Sequence, residues 1–230
     1  ITRIHLEEDA GKLVHSEYGN GTLVDYNRGA VPLIEIVTEP DINSADEAVA
    51  FLESIKTILK YTEVSDCKME EGSLRCDVNL SIRPRGSKAF GVRTEMKNLN
   101  SFRAVHRAIQ YEEKRHAEVL RSGGELVQET RRWDDEQGVS LSMRTKEDAI
   151  DYKYFPDPDL MPLVFTEEYI ESLRARLPEL PEKRKQRYVE QFGLPEYDAD
   201  VLTSDKAVAD FFDSCAKDYA NKKVLSNWIM

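Results

Sequence analysis

The chain has 230 residues, 40% of them hydrophobic, and a formal net charge of −11. That length can bury one sizeable core and a smaller satellite, and the acidic balance excludes a protein that coats nucleic acid without specificity, because phosphate neutralisation needs surplus Lys and Arg. No apolar run approaches the roughly 20 residues that cross a bilayer, and no basic segment leads into an apolar one at the start. Membrane partners are therefore not expected.

Strand-like segments open the chain at Ile1 to Glu7 and return at Leu33 to Glu39, with Gly19-Asn-Gly21 reading as a hairpin turn between them. Ser44-Ala-Asp-Glu47 is a capping box, and the apolar residues Ala48, Leu52, Ile55 and Ile58 line one face of the helix it starts. Between Arg75 and Ile82 the even positions are apolar and the odd ones polar, which predicts a strand with one packed and one free face. From Arg83 to Arg107 seven basic residues meet one acid, a local charge of +6 that suits either a solvated face or an RNA-facing one. Val92 to Asn98 reads as a further strand, and Ser101 starts a second amphipathic helix that Gly123-Gly124 ends. Val127 to Trp133 and Val139 to Met143 flank a turn and predict a hairpin. Beyond Tyr154 the composition changes, prolines punctuate short helical patterns, Thr166 is a candidate N-cap, and Lys222 to Met230 reads as a helix.

Runs of strands separated by two long helices predict an α+β class, with a largely antiparallel sheet carrying helices on one face, followed by a small all-α domain. A boundary near Pro162 divides the chain into 1–162 and 163–230. Ile1 in place of Met, and a last helix with no cap, suggest that both ends are cut.

The polar faces of the strand candidates present Arg3, His5 and Glu7, then Glu35 and Glu39, then Arg75, Asp77 and Asn79, then Glu95 and Lys97. A wet, salt-bridged face explains such a mixture. Yet glutamate is a poor strand former, and here it sits among β-branched residues, as in Leu33-Ile-Glu-Ile-Val37. Clustered carboxylates repel unless a cation neutralises them, and hard oxygen donors suit Mg²⁺. No glycine segment matches a phosphate-binding loop with its Lys-Ser/Thr. Cys67, Cys76 and Cys215 have neither zinc-ribbon spacing nor a disulfide pattern and read as reduced thiols. His15, His106 and His116 are isolated and suit surface or packing roles. No Ser-Lys or Cys-His nucleophile signature is visible, so this chain is not expected to make ammonia.

Six strings together, His5-Leu-Glu-Glu-Asp-Ala-Gly-Lys12, Leu23-Val-Asp-Tyr-Asn-Arg28 with Pro32-Leu-Ile-Glu-Ile-Val-Thr-Glu-Pro-Asp41, Met69-Glu-Glu-Gly-Ser-Leu-Arg-Cys-Asp-Val-Asn79, Lys97-Asn-Leu-Asn-Ser-Phe102, Glu129-Thr-Arg-Arg132 and Asp151-Tyr-Lys-Tyr-Phe-Pro-Asp-Pro-Asp159, resemble the B/E family of tRNA-dependent amidotransferase subunits. The resemblance runs over nearly the whole chain. It implies a ligase that uses ATP and Mg²⁺ to phosphorylate the side chain of misacylated Glu-tRNA(Gln) or Asp-tRNA(Asn), with ammonia from a partner amidase (A) subunit replacing the phosphate and a small C subunit completing a heterotrimer. It also implies that 1–162 is the C-terminal part of a glutamine synthetase-like cradle and 163–230 the start of a helical domain. The expected compartment is the bacterial cytoplasm or an organellar matrix. Carried over by position, Glu7, Glu35, Asp77 and Glu95 are candidate metal residues, His5, Arg75 and Lys97 candidate nucleotide-binding residues, and Asp77, Glu95, Lys97, Arg75 and Asn79 candidate catalytic ones. Two rival readings are a scaffold that only binds tRNA and partner subunits, and an unrelated metal-dependent phosphotransferase.

Overall fold

A computed structural model describes residues 1–15, 19, 21–145 and 161–230. The chain divides into two compact units, Ile1–Asn43 and Ser44–Met230. The string Asp151 to Asp159, and the residues just before the expected boundary at Pro162, lie outside the described residues.

In the first unit, β1 (Arg3–Glu8) pairs antiparallel with β4 (Pro32–Val37), and β2 (Lys12–His15) with β3 (Thr22–Asp25). The β2–β3 pairing is the hairpin expected around Gly19-Asn-Gly21. Opposite residues on β1 and β4 are His5 with Glu35 and Glu7 with Leu33. Since paired residues share a face, one face carries Arg3, His5, Glu7 and Glu35 and the other Ile4, Leu6, Ile34 and Ile36. Alternation thus placed Arg3, His5 and Glu7 on one face as expected, with Glu35 beside them, but that face also carries Leu33 and Val37, and Glu39 lies beyond the end of β4.

The second unit is built around a four-stranded sheet in the order β5-β6-β7-β8, comprising Val78–Leu80, Thr94–Lys97, Glu129–Asp134 and Val139–Thr145. Its outer pairs are antiparallel, but β6 and β7 run parallel. A parallel pair needs a long crossover, and α2 (Phe102–Arg121) supplies it. Helix α1 (Ala45–Tyr61) begins where Ser44 Oγ accepts the Glu47 N–H at 3.1 Å, and α2 where Ser101 Oγ accepts that of Ala104 at 3.0 Å. Both N-caps satisfy donors that a helix start leaves unpaired. Past α2, Gly123 turns with φ +79°, a conformation that favours glycine.

Ala45 and Ala48 of α1, Ala104, Val105, Ala108 and Ile109 of α2, and Met96 and Trp133 of the sheet form one core, against which Cys76, Val78 and Leu80 pack. Among the described residues, the other face of the sheet carries no helix from this core. Between β6 and α2, Asn98 takes a left-handed φ of +65° while its side-chain amide donates to the Trp133 carbonyl at 2.9 Å. That bond ends the strand and aims the chain into the Ser101 cap.

Helices α3 (Glu167–Arg176), α4 (Pro181–Phe192), α5 (Glu196–Thr203), α6 (Lys206–Ala216) and α7 (Lys222–Ile229) follow. Thr166 caps α3 as its sequence indicates. Tyr188, Leu194, Leu202 and Phe212 form a second core. Within this unit the two cores are joined at α1, where the buried Tyr61 hydroxyl donates to the Thr203 carbonyl at 2.8 Å and Lys60 pairs with Asp205 at 3.0 Å. Among the described residues no helix is long and apolar enough to cross a membrane.

Candidate active site

The alternation between Arg75 and Leu80 sets the site. Cys76, Val78 and Leu80 turn to the core, leaving Arg75, Asp77 and Asn79 exposed on the opposite side. On β6, Thr94 and Met96 are buried while Glu95 and Lys97 face outward, and Asn79 stands directly opposite Glu95. β5 is shorter than the expected strand from Arg75 to Ile82, so Arg75 and Asp77 precede it, and Asn79 of β5 shares the open face with Glu95 and Lys97 of β6.

Lys97 lies between two carboxylates, its Nζ 2.6 Å from Asp77 Oδ2 and 3.2 Å from Glu95 Oε1. Partial burial disfavours its charge, but hydrogen bonds and attraction from Asp77 and then Glu95 outweigh that and hold Lys97 above the usual lysine range. Glu95 is fixed from its other oxygen by the Thr130 hydroxyl, which donates to Oε2 at 2.8 Å. Thr130 was not among the residues expected from the sequence. It sits in the string Glu129-Thr-Arg-Arg132, which reads as a hairpin strand until the parallel pairing sets Thr130 beside Glu95.

Two carboxylate oxygens around one positive charge are a donor set that Mg²⁺ accepts, because that ion is commonly held by one or two protein carboxylates together with phosphate oxygens and water. Among the described residues no group of three or more His, Cys, Asp or Glu side chains gathers to hold a metal. A cation here would draw only Asp77 and Glu95 from this face. Of the other expected site residues, Arg75 is exposed just before β5. His5, Glu7 and Glu35 share one exposed face of the first unit, where the Arg3 guanidinium donates to His5 Nε2.

Two recognised strings also meet. Met69 and Glu70 line a cavity of about 170 Å³ with Lys56, Cys67, Ser101 and Phe102, and the Lys56 ammonium lies 5.5 Å from the Phe102 ring centre. All three cysteines are free thiols. Burial, with the Asp77 charge adding, pushes Cys76 up to about 11, which suits a core thiol and not a nucleophile.

The helix-covered face of the sheet hides a second ionic cluster. Glu112 is fully buried on α2, accepts from Arg115 Nη2 at 2.7 Å and Nε at 3.0 Å and from the Ser140 hydroxyl, and lies 3.3 Å from Arg131 Nε and from His116 Nε2. Thr94 Oγ1 is 2.8 Å from His116 Nε2. Burial alone would raise the Glu112 carboxyl, yet hydrogen bonds from His116, Arg115 and Ser140 lower it to about 2. The sequence carried one signal of this cluster: Glu112 and His116 continue the apolar stripe of Val105 and Ile109 at helical spacing.

Residues 1–171 match the family model described as the GatB/GatE catalytic domain. The chain belongs to this family. Its similarity extends over all 230 residues to the B subunits of aspartyl/glutamyl-tRNA(Asn/Gln) amidotransferase from Caldicellulosiruptor bescii, at 65% identity, from Caldicellulosiruptor saccharolyticus, at 64%, and from Caldanaerobacter subterraneus, at 58%. The chain spans 48% of the length of each, about half. Within the GatB/GatE match lie both faces of the four-stranded sheet; the match ends inside α3.

Proposed function

We propose that this chain carries the phosphoryl-transfer part of a tRNA-dependent amidotransferase that amidates misacylated Glu-tRNA(Gln), Asp-tRNA(Asn) or both. The observation that carries the reading is the pair of carboxylates, Asp77 and Glu95, held around one cation on the open face. When bound, ATP supplies the phosphoryl group and Mg²⁺ neutralises charge on its oxygens. The side-chain carboxylate of the misacylated residue accepts that group as ADP leaves. Ammonia then forms the C–N bond while phosphate departs with the carboxyl oxygen, and the surplus proton passes to solvent.

In this reading Asp77 and Glu95 hold the cation and Lys97 exchanges a carboxylate for phosphate oxygens, a charge-assisted contact of the stronger kind. Thr130 positions Glu95, while Asn79 and Arg75 orient the transferred group. The family resemblance assigns His5, Glu7 and Glu35 to nucleotide and metal binding. Ammonia comes from an amidase (A) subunit and a small C subunit completes the assembly, so the 230-residue chain by itself forms no amide.

The test is Mg²⁺-dependent binding of ATP to the full-length subunit in its assembly, measured by titration. Asp77→Ala is expected to abolish it. Unchanged magnesium-dependent binding in this variant would overturn the assignment and favour a scaffold that binds tRNA and partner subunits.

A further inference from the structure

Between β5 and β6 the chain passes through residues 81–93, which hold four basic residues and no acid although the whole chain is strongly acidic. The loop is held in one shape. The Pro84 carbonyl accepts the Ser87 N–H at 3.0 Å, with Gly86 at φ +90°, the position where a tight turn favours glycine. Arg83 Nη1 donates to the Lys88 carbonyl at 2.9 Å and the Ser87 hydroxyl to that of Ala89 at 3.2 Å. At the neck, Gly91 comes so near Ile82 that a Cβ would stand 2.1 Å from its carbonyl oxygen.

Out of this closed loop stands Phe90, 60% exposed, with the Arg83 guanidinium 4.7 Å from its ring centre. Arg85, Lys88 and Arg93 are exposed, and none of them forms an ion pair among the described residues. Two other basic residues of the stretch are engaged, Lys97 with the site carboxylates and Arg107 with Asp135 at 2.9 Å, while Arg103 on α2 is exposed. An exposed aromatic ring in a rigid basic loop is the combination by which proteins hold single strands, bases stacking on rings and cations meeting phosphates. The loop also leaves the sheet one residue pair beyond Asn79 and Glu95, since Leu80 pairs with Thr94.

We infer that residues 81–93 bind the unpaired 3′ end of the tRNA, one base stacking on Phe90 beside Arg83, with Arg85, Lys88 and Arg93 on the flanking phosphates. The inference rests on the proposed aminoacyl-tRNA substrate, whose reacting amino acid sits on that end and must reach the carboxylate face.

The experiment measures binding of a tRNA(Gln) transcript to the full assembly at several salt concentrations, with the 3′ end intact and with its unpaired nucleotides removed. Phe90→Ala is expected to weaken the intact transcript roughly tenfold and to leave the truncated one unaffected. Arg85→Gln and Lys88→Gln are each expected to lower the salt slope for the intact transcript by about 0.7. Unchanged affinity in Phe90→Ala, equal weakening of both transcripts, or loss of subunit assembly at unchanged tRNA affinity would overturn the inference alone. Absence of any tRNA binding by the wild-type assembly would overturn it together with the proposed function.

Discussion

The two faces of the four-stranded sheet use the same chemical groups to opposite ends. On the helix-covered face Glu112 is fully buried among Arg115, Arg131, His116 and Ser140. On the open face Asp77, Glu95 and Lys97 form a similar ionic cluster, but their side chains keep 48%, 29% and 37% of their exposure. Burial decides the difference. A sealed carboxylate whose partners cannot leave holds helix to sheet, whereas a half-exposed one can trade its ammonium for another cation. Ion pairs seen in a structure therefore indicate function only when solvent and ligand can reach them.

The largest expected effect is on the sealed side. Glu112→Ala removes the shared partner of two largely buried guanidinium groups, and breaking a buried pair in this way costs on the order of 3–5 kcal/mol. Urea unfolding of the chain measures it; a loss below about 1 kcal/mol would put the two faces in one class and break the comparison.

Acid titration sharpens the same point. The Glu112 carboxyl lies near 2 in the folded protein against a reference of 4.5. A lowered value means that the stabilisation is present above about pH 4.5 and lost as pH falls toward 2, an amount of about 3 kcal/mol. Glu112→Gln, unable to titrate, is expected to lose less stability than the wild type across that window. Parallel acid curves for the two proteins would show that other carboxylates govern it.

The smallest expected effect on stability is at the open face. Asp77→Asn weakens one exposed pair with Lys97, worth at most about 1 kcal/mol, so its unfolding midpoint should stay near that of the wild type. A loss as large as that of Glu112→Ala would make Asp77 a structural residue and the magnesium assignment needless.

Much of this was legible in the sequence because it depends on neighbours a few residues apart. The caps at Ser44, Ser101 and Thr166 lie within three residues of the N–H groups they satisfy, and the alternation through Val78 to Leu80 and Thr94 to Lys97 is a property of any pleated strand. Those signals were enough to put Asp77 with Asn79 and Glu95 with Lys97 on the polar side of their own segments, and six strings were enough to indicate the family.

Tertiary structure alone decided how these pieces combine. Lys97 reaches Asp77 across 20 residues, Thr130 reaches Glu95 across 35, and Ser140 reaches Glu112 across 28. None of those separations leaves a periodic trace, because they follow from which strands pair, β5 with β6 for the first and β6 in parallel with β7 for the second, and from α2 lying over β8 for the third; an alternating pattern does not distinguish a parallel pairing from an antiparallel one. The division of the chain between Asn43 and Ser44 is likewise absent from its composition. Local chemistry determines which side chains share a strand face; the order in which strands pair determines which carboxylate is sealed under α2 and which stays open to solvent.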